Sequence, residues 1–181
     1  MALKRNKKAK FVLFAAVSLD GRITQGKKEG NRWTSAEDRN WLYKELGRYD
    51  AVVMGRKTFM AIKRPLTPRN RIVFTKHPLF QCSTEYWNSG CETFGFFGSA
   101  GQLLSLLERR NWQRIVVVGG TSIYDWFLKR NLIDEVYLTM EPVFLGSGKP
   151  LTSSPFGKIA RFRLRAVKRL SETGTLLLHY K

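Results

Sequence analysis

Three short segments place glycine, hydroxyl and cationic residues directly after an apolar run, a combination suited to binding phosphate. The first is Gly119-Gly120-Thr121-Ser122, which follows the run RIVVV (114–118) and leads into a helical pattern through Ile123 and Tyr124. A strand that ends in diglycine and opens a helix aims unpaired backbone N–H groups at whatever lies above it, and the helix N-terminus favours negative charge. The second is Met54-Gly55-Arg56-Lys57-Thr58 and the third is Phe74-Thr75-Lys76. Any one of them serves equally well as a structural or solvated turn. In an open parallel sheet such endings converge on one edge, where ligands bind, so the three together predict a dinucleotide with an extra phosphate. NADPH fits that description.

A carboxylate completes the inventory. Asp38 lies five residues past Trp33, beyond the polar loop TQGKKEGN (24–31). An acid there can hold a substrate ring or supply a proton. The alternative is structural, because an aspartate in the first turn of a helix is favoured by the macrodipole alone. His77, before Pro78, reads as a loop residue and His179 as part of the last strand. Cys82 and Cys91 cannot make a tetrahedral metal site by themselves, and no histidine extends them, so neither a metal nor a disulfide framework is expected.

The elements that must position these residues follow from pattern. Residues 11–17 read as a buried strand entering the turn Ser18-Leu19-Asp20-Gly21, and Ser35 caps a helix with Glu37 and Asp38 in its first turn and Trp41, Leu42 and Leu46 on one stripe, ending at Gly47. Strands are predicted at 50–54, 72–75, 93–97, 114–118 and 135–140, and helices at 56–63, 102–110 (capped by Ser99) and 123–129. Pro65-Leu66-Thr67-Pro68 is a proline-broken loop, 77–90 has no period, and 142–150 is a Gly/Pro-rich loop. A terminal pair, 162–170 and 175–180, is joined through Gly174. The first of these alternates Phe162, Leu164 and Ala166 with Arg161, Arg163 and Arg165, as a half-buried strand does. Strands alternating with helices and closing in a hairpin imply an α/β fold with a mostly parallel sheet, helices on both faces and an antiparallel edge.

Composition bounds the rest. The chain has 181 residues, 43% hydrophobic and 25% charged, which suits one compact unit with a real core. We read residues 1–10 as a basic arm and 11–181 as a single domain. The longest apolar run is too short to span a bilayer, and no secretory signal is visible, so a cytoplasmic protein is expected. The net charge of +18 predicts attraction to polyanions or phosphorylated ligands. No helix-turn-helix, zinc-finger or stacking pattern accompanies it, so the basic groups read as solvated faces first and as a nucleic-acid site second.

Taken together, the chain after the arm resembles the dihydrofolate reductase superfamily, in particular the branch that includes the reductase domain of the bacterial bifunctional riboflavin deaminase-reductase. AAVSLDGRI (15–23), Trp33-Thr34-Ser35 with Glu37-Asp38-Arg39, Asp50-Ala51, Asp134-Glu135-Val136 and PVFLGSGKPL (142–151) look like the riboflavin branch. MGRKTF (54–59), Arg64-Pro65-Leu66 with Arg69, and Gly119-Gly120 with Tyr124 look like dihydrofolate reductase proper. The resemblance implies a dihydrofolate reductase-like sheet of about eight strands, bound NADPH, and hydride transfer to a small heterocycle. It implies that Ala16 lines the nicotinamide pocket, that Gly55, Arg56, Lys57 and Thr58 hold the adenosine phosphates, and that Thr75 and Lys76 flank the 2′-phosphate. Gly119, Gly120, Thr121, Ser122, Ile123 and Tyr124 would cover the pyrophosphate and nicotinamide. On the substrate side it implies Asp38 as the ring-binding, catalytic acid supported by Thr139, with Trp33, Ser35 and Arg39 nearby, Leu42 as a wall and Arg69 for an anionic tail.

Departures from the riboflavin branch leave the substrate open. Where that branch usually has an arginine, an Asp-Asp-Pro loop and a glutamate, this chain has Gly47, residues 63–68 and Val118. The first expectation is reduction of a 5-amino-6-(5-phosphoribosylamino)uracil-type substrate of riboflavin synthesis, and the alternative is a dihydrofolate or other dihydropterin. A nucleic-acid-binding protein that keeps the fold without its chemistry is the competing class. A homodimer is compatible with each reading.

Overall fold

The computed structural model describes residues 9–26, 32–62, 70–76, 93–153 and 159–181. The apolar runs are strands and the capped segments helices. In chain order they are β1 (Lys10–Ser18), α1 (Ala36–Leu46), β2 (Ala51–Gly55), α2 (Arg56–Ala61), β3 (Asn70–Phe74), β4 (Thr93–Phe96), α3 (Ala100–Arg109), β5 (Arg114–Val117), α4 (Thr121–Lys129), β6 (Ile133–Glu141), β7 (Leu164–Arg169) and β8 (Leu176–Tyr180). They form one eight-stranded sheet in the order β4-β3-β2-β5-β1-β6-β8-β7. β4 to β6 run parallel; β8 pairs antiparallel with β6, and β7 antiparallel with β8.

Both faces of the central strands are buried, which is why these strands read as unbroken apolar runs rather than alternations. On β1, Phe11 and Leu13 join Val53, Ile115, Leu103, Leu107, Ile123 and Phe127, so α3 and α4 cover that face. Val12 and Phe14 join Leu46, Val52, Met54 and Phe59, with Trp41 and Leu42 against them, so α1 and α2 cover the other. Phe14 is central to the second cluster, with ring centroids 5.1 Å from Trp41, 5.4 Å from Tyr49 and 5.2 Å from Tyr137. Each such pair adds about 0.5–1.5 kcal/mol beyond area burial.

The ends of the helices follow their capping residues. Ser35 accepts from the Asp38 N–H at the start of α1, and Ser99 and Gln102 form a reciprocal capping box on α3. α3 and α4 begin two residues earlier than the apolar stripe suggests, at Ala100 and Thr121, because the caps and not the first apolar residues set the start.

Two expectations are corrected. The basic arm ends earlier than residue 10, since Ala9 belongs to the buried core and Lys10 opens β1 with its Nζ 2.6 Å from Glu135 Oε1. The expected half-buried strand at 162–170 is β7, and all six of its residues are exposed. It is the outermost strand, so its alternation does not correspond to a covered face. The loops at 65–68 and 77–90, with Arg69, His77, Cys82 and Cys91, lie outside the described residues, as does most of the arm. No described helix is long and apolar enough to cross a membrane.

Candidate functional site

Because β1, β2, β3, β5 and β6 are parallel, their C-terminal ends share one edge. β1 continues into α1 on one face of the sheet, whereas β5 continues into α4 on the other. Chains that leave adjacent strands toward opposite faces open a crevice between them, the usual place for a ligand in such sheets. Gly119-Gly120, which follows β5, and Asp38, in the first turn of α1, are both at this edge.

The glycine turn is built by close approach. The Gly55 N–H donates to the Gly119 carbonyl at 2.8 Å and the Val118 N–H to Val53 at 3.0 Å, which locks the ends of β2 and β5 together. Gly119 has φ +99°, and a Cβ there would lie 2.7 Å from the Tyr124 hydroxyl, so only glycine fits. Neither Gly55 nor Gly120 gives its helix a side-chain cap, so the first amides of α2 and α4 face the edge without an intrinsic side-chain acceptor. Around them Arg56, Lys57, Lys76 and Ser122 are exposed, and Thr58 and Thr75 are half-buried. The Thr58 hydroxyl lies 3.7 Å from where a Gly120 Cβ would be.

Other residues of the expected cofactor set lie beneath the turn and give it support. Tyr124 is buried, and its hydroxyl donates to the Phe14 carbonyl at 2.7 Å; burial pushes that phenol well above its ordinary range. Ile123 packs under Gly55, and Thr121 spends its hydroxyl on the Pro150 carbonyl at 2.6 Å. Ala16 is half-buried on β1, paired in register with Thr139 of β6.

At the start of α1, Asp38 is 5% exposed. Burial raises its pKa above the ordinary 3.8; hydrogen bonds from Thr139 and Thr34 and the charge of Arg39 oppose the rise, and the charge of Glu141 adds to it. Thr139 thus touches Asp38. Ser35 takes part in a different way, since its Oγ accepts from the Asp38 N–H at 3.1 Å and donates to Glu141 Oε1 at 2.8 Å. The Arg39 guanidinium donates to the Thr34 carbonyl, and Leu42 packs on the Phe14 cluster. The Trp33 indole N–H is buried with no acceptor among the described residues. Arg69 falls outside them.

Glu141 was missed by sequence reading, although it stands two residues past Thr139 and therefore on the same face of β6. Also missed was a clasp between the loops after β1 and β6. Asp20 accepts from Ser18 Oγ at 2.5 Å, Leu145 N at 3.0 Å and Gly146 N at 2.9 Å, and these hydrogen bonds hold its carboxyl down at about 2. The Ile23 N–H bonds to Lys149 at 2.8 Å and the Leu151 N–H to Gly21 at 3.1 Å, across the same seam.

The chain is similar to known proteins in sequence and in fold. The chain is 30% identical to YwjB, an uncharacterized protein of Bacillus subtilis, over 94% of this chain and 97% of that one. It is 30% identical to the dihydrofolate reductase of Haemophilus influenzae over 71% and 70% of the two chains. The crystal structure of a Thermotoga maritima diaminohydroxyphosphoribosylaminopyrimidine deaminase/5-amino-6-(5-phosphoribosylamino)uracil reductase superposes with a TM-score of 0.76 at 18% identity, covering 96% of this chain and 56% of that one. That likeness shows the dihydrofolate reductase-like fold anticipated from the sequence. The match that spans the glycine turn, the acid pocket and the clasp alike runs from residue 9 to residue 176, and by it the chain belongs to the RibD C-terminal domain family.

Proposed function

We propose that the protein is an NADPH-dependent reductase of a small heterocycle, formed as one reductase domain behind a basic arm. The observation that carries this reading is what the fold brings to one sheet edge. A buried carboxyl, Asp38, and a glycine turn packed closely on Tyr124 lie at the same sheet edge, with exposed Arg56, Lys57 and Lys76 following the strand ends there. The Gly119-Gly120 cradle and the uncapped amides of α4 suit a pyrophosphate, and the three cations suit a 2′-phosphate, so the residues present fit NADPH.

When bound, NADPH supplies a hydride. The chain's own part is to hold the cofactor's phosphates with backbone N–H groups and cations, and to orient the substrate ring by Asp38. Burial disfavours the Asp38 carboxylate, so Asp38 is suited to keep and deliver the proton that must accompany a hydride to a C=N or C=O bond. Trp33 brings a buried donor that a ring heteroatom can accept.

We take a ribosylamino-pyrimidine as the first substrate class, in keeping with the family. A dihydropterin is the second, favoured by the identity to the Haemophilus influenzae dihydrofolate reductase and by Asp38 with Trp33. The test is NADPH oxidation against a panel of aminopyrimidines and dihydropterins, alongside cofactor titration. Turnover of one class with NADPH affinity is expected. No NADPH affinity, together with nucleic-acid binding that falls steeply with salt, would replace the reading with the polyanion-binding one.

A further inference from the structure

The strongest feature not yet given a role is the second buried acid beside Asp38. Glu141, the last residue of β6, is 3% exposed, and among the described residues its carboxylate accepts three hydrogen bonds. Its Oε1 receives the Ser35 N–H and the Ser35 hydroxyl, both at 2.8 Å, and its Oε2 receives the Thr175 hydroxyl at 2.8 Å. Among the described residues no cation pairs with it. A hydroxyl has one proton; because Ser35 gives its proton to Glu141, a lone pair of the same oxygen faces the Asp38 N–H. Glu141 therefore fixes the direction of the cap that starts α1, and with it the turn that carries Asp38.

We infer that Glu141 is a positioning residue for the reduction proposed above: it acts on the substrate only through Ser35 and Asp38, aiming the Asp38 carboxyl by the cap and standing as a second buried acid behind it. The inference rests on the reading of Asp38 as proton donor. The groups that face Asp38 are few. Arg39 of its own helix favours the carboxylate, Thr34 of the preceding loop and Thr139 of β6 donate to it, and Glu141 of β6 adds like charge. Two acids at one buried site resist ionising together, which suits a group that must still hold its proton when the substrate arrives.

Two variants separate aim from charge. Glu141→Gln keeps an acceptor for Ser35 and removes the charge; Ser35→Ala breaks the cap and leaves the charge. The full-length protein, labelled with 13C at aspartate carboxyls, is titrated by NMR, with the Asp38 signal identified by its loss in Asp38→Asn, and kcat/KM is followed against pH in parallel. In Glu141→Gln the Asp38 midpoint and the alkaline limb of kcat/KM should both move to lower pH. In Ser35→Ala the midpoint should stay near the wild-type value while kcat falls about ten-fold, in the range expected for a misaligned proton donor. An unmoved Asp38 midpoint in Glu141→Gln overturns the inference whether or not any substrate is reduced. A moved midpoint with an unmoved kcat/KM limb also overturns it, and leaves the reductase reading intact. A wild type that reduces nothing, with the midpoint moved, refutes the reductase reading separately and leaves the coupling as a property of the pocket without a reaction to serve.

Discussion

At the scale of single residues, Asp38 and Arg56 make opposite demands on the protein. Asp38 is an acid whose folded-state pKa lies above its ordinary 3.8 because it is buried. The native state then binds more protons than the unfolded state at pH values between the two, so stability falls as pH rises through that window. Asp38→Asn is expected to melt at a higher temperature than the wild type at neutral pH and at the same temperature near pH 3, while kcat falls about a hundred-fold or more. Paired melting curves and rate measurements check both halves; a variant that keeps its rate on every substrate makes Asp38 a helix-start residue. Arg56 is exposed beside the glycine turn and carries no structural duty that its contacts reveal. A charge-assisted bond to a 2′-phosphate is worth about 1.5–3 kcal/mol, so Arg56→Ala should weaken NADPH about ten-fold or more and leave NADH nearly unchanged. Equal losses for the two cofactors, measured by titration, would remove the 2′-phosphate from the proposed site.

At the scale of elements, the clasp between the loop after β1 and the loop after β6 depends on Gly148, whose φ is +102° and where a Cβ would lie 1.7 Å from the Thr24 carbonyl oxygen. Gly148→Ala cannot be accommodated without parting the two loops. Its effect should appear as lost hydrogen-exchange protection at the Ile23 and Leu151 amides, which bond across the seam, with the amides of β5 unchanged. Protection retained at Ile23 would mean the loops are held by something other than this contact. Elements of this fold differ in how far sequence reveals them. β1, β2 and β5 were legible because a strand buried on both faces is apolar throughout, and α1 because Ser35 and its acidic first turn mark its start. The glycine turn was legible because two adjacent glycines between an apolar run and a helical pattern mark a strand end that opens a helix. β7 was misread because alternation reports a covered face only where something packs on it. Glu141 was overlooked because an acid before a proline looks like the start of a solvated loop; only the fold shows Ser35 and Thr175, 106 and 34 residues away, turned toward it. Tyr124 reads by sequence as part of the helix after the glycine turn, and the structure buries it with Ile123 and Phe127 on the core side of α4.

At the scale of the whole molecule, the core begins at Ala9, and Lys10 ties the start of β1 to Glu135. Removal of residues 1–8 should leave the melting temperature and NADPH oxidation unchanged, whereas removal through Lys10 should lower stability, because it strips Ala9 from the core and leaves Glu135 with His179 at 3.5 Å and Lys181 at 3.5 Å. Comparison of the two truncations by thermal melting and turnover checks the boundary; equal behaviour would place the start of the folded unit after β1 begins. The other end of the sheet sets how the protein behaves in concentrated solution. An outermost strand with free backbone groups invites another strand to add to it, and β7 exposes Leu164 at 52% and Val167 at 54%. It also carries Arg165, Lys168 and Arg169, and its pairing is interrupted by a bulge between Leu164 and Ala166. Like charges on approaching edges repel over a Debye length of about 10 Å at 0.1 M salt and only about 3 Å at 1 M. Added salt, or a polyanion that neutralises these cations, should therefore weaken the repulsion at that edge and favour association of the chains through β7.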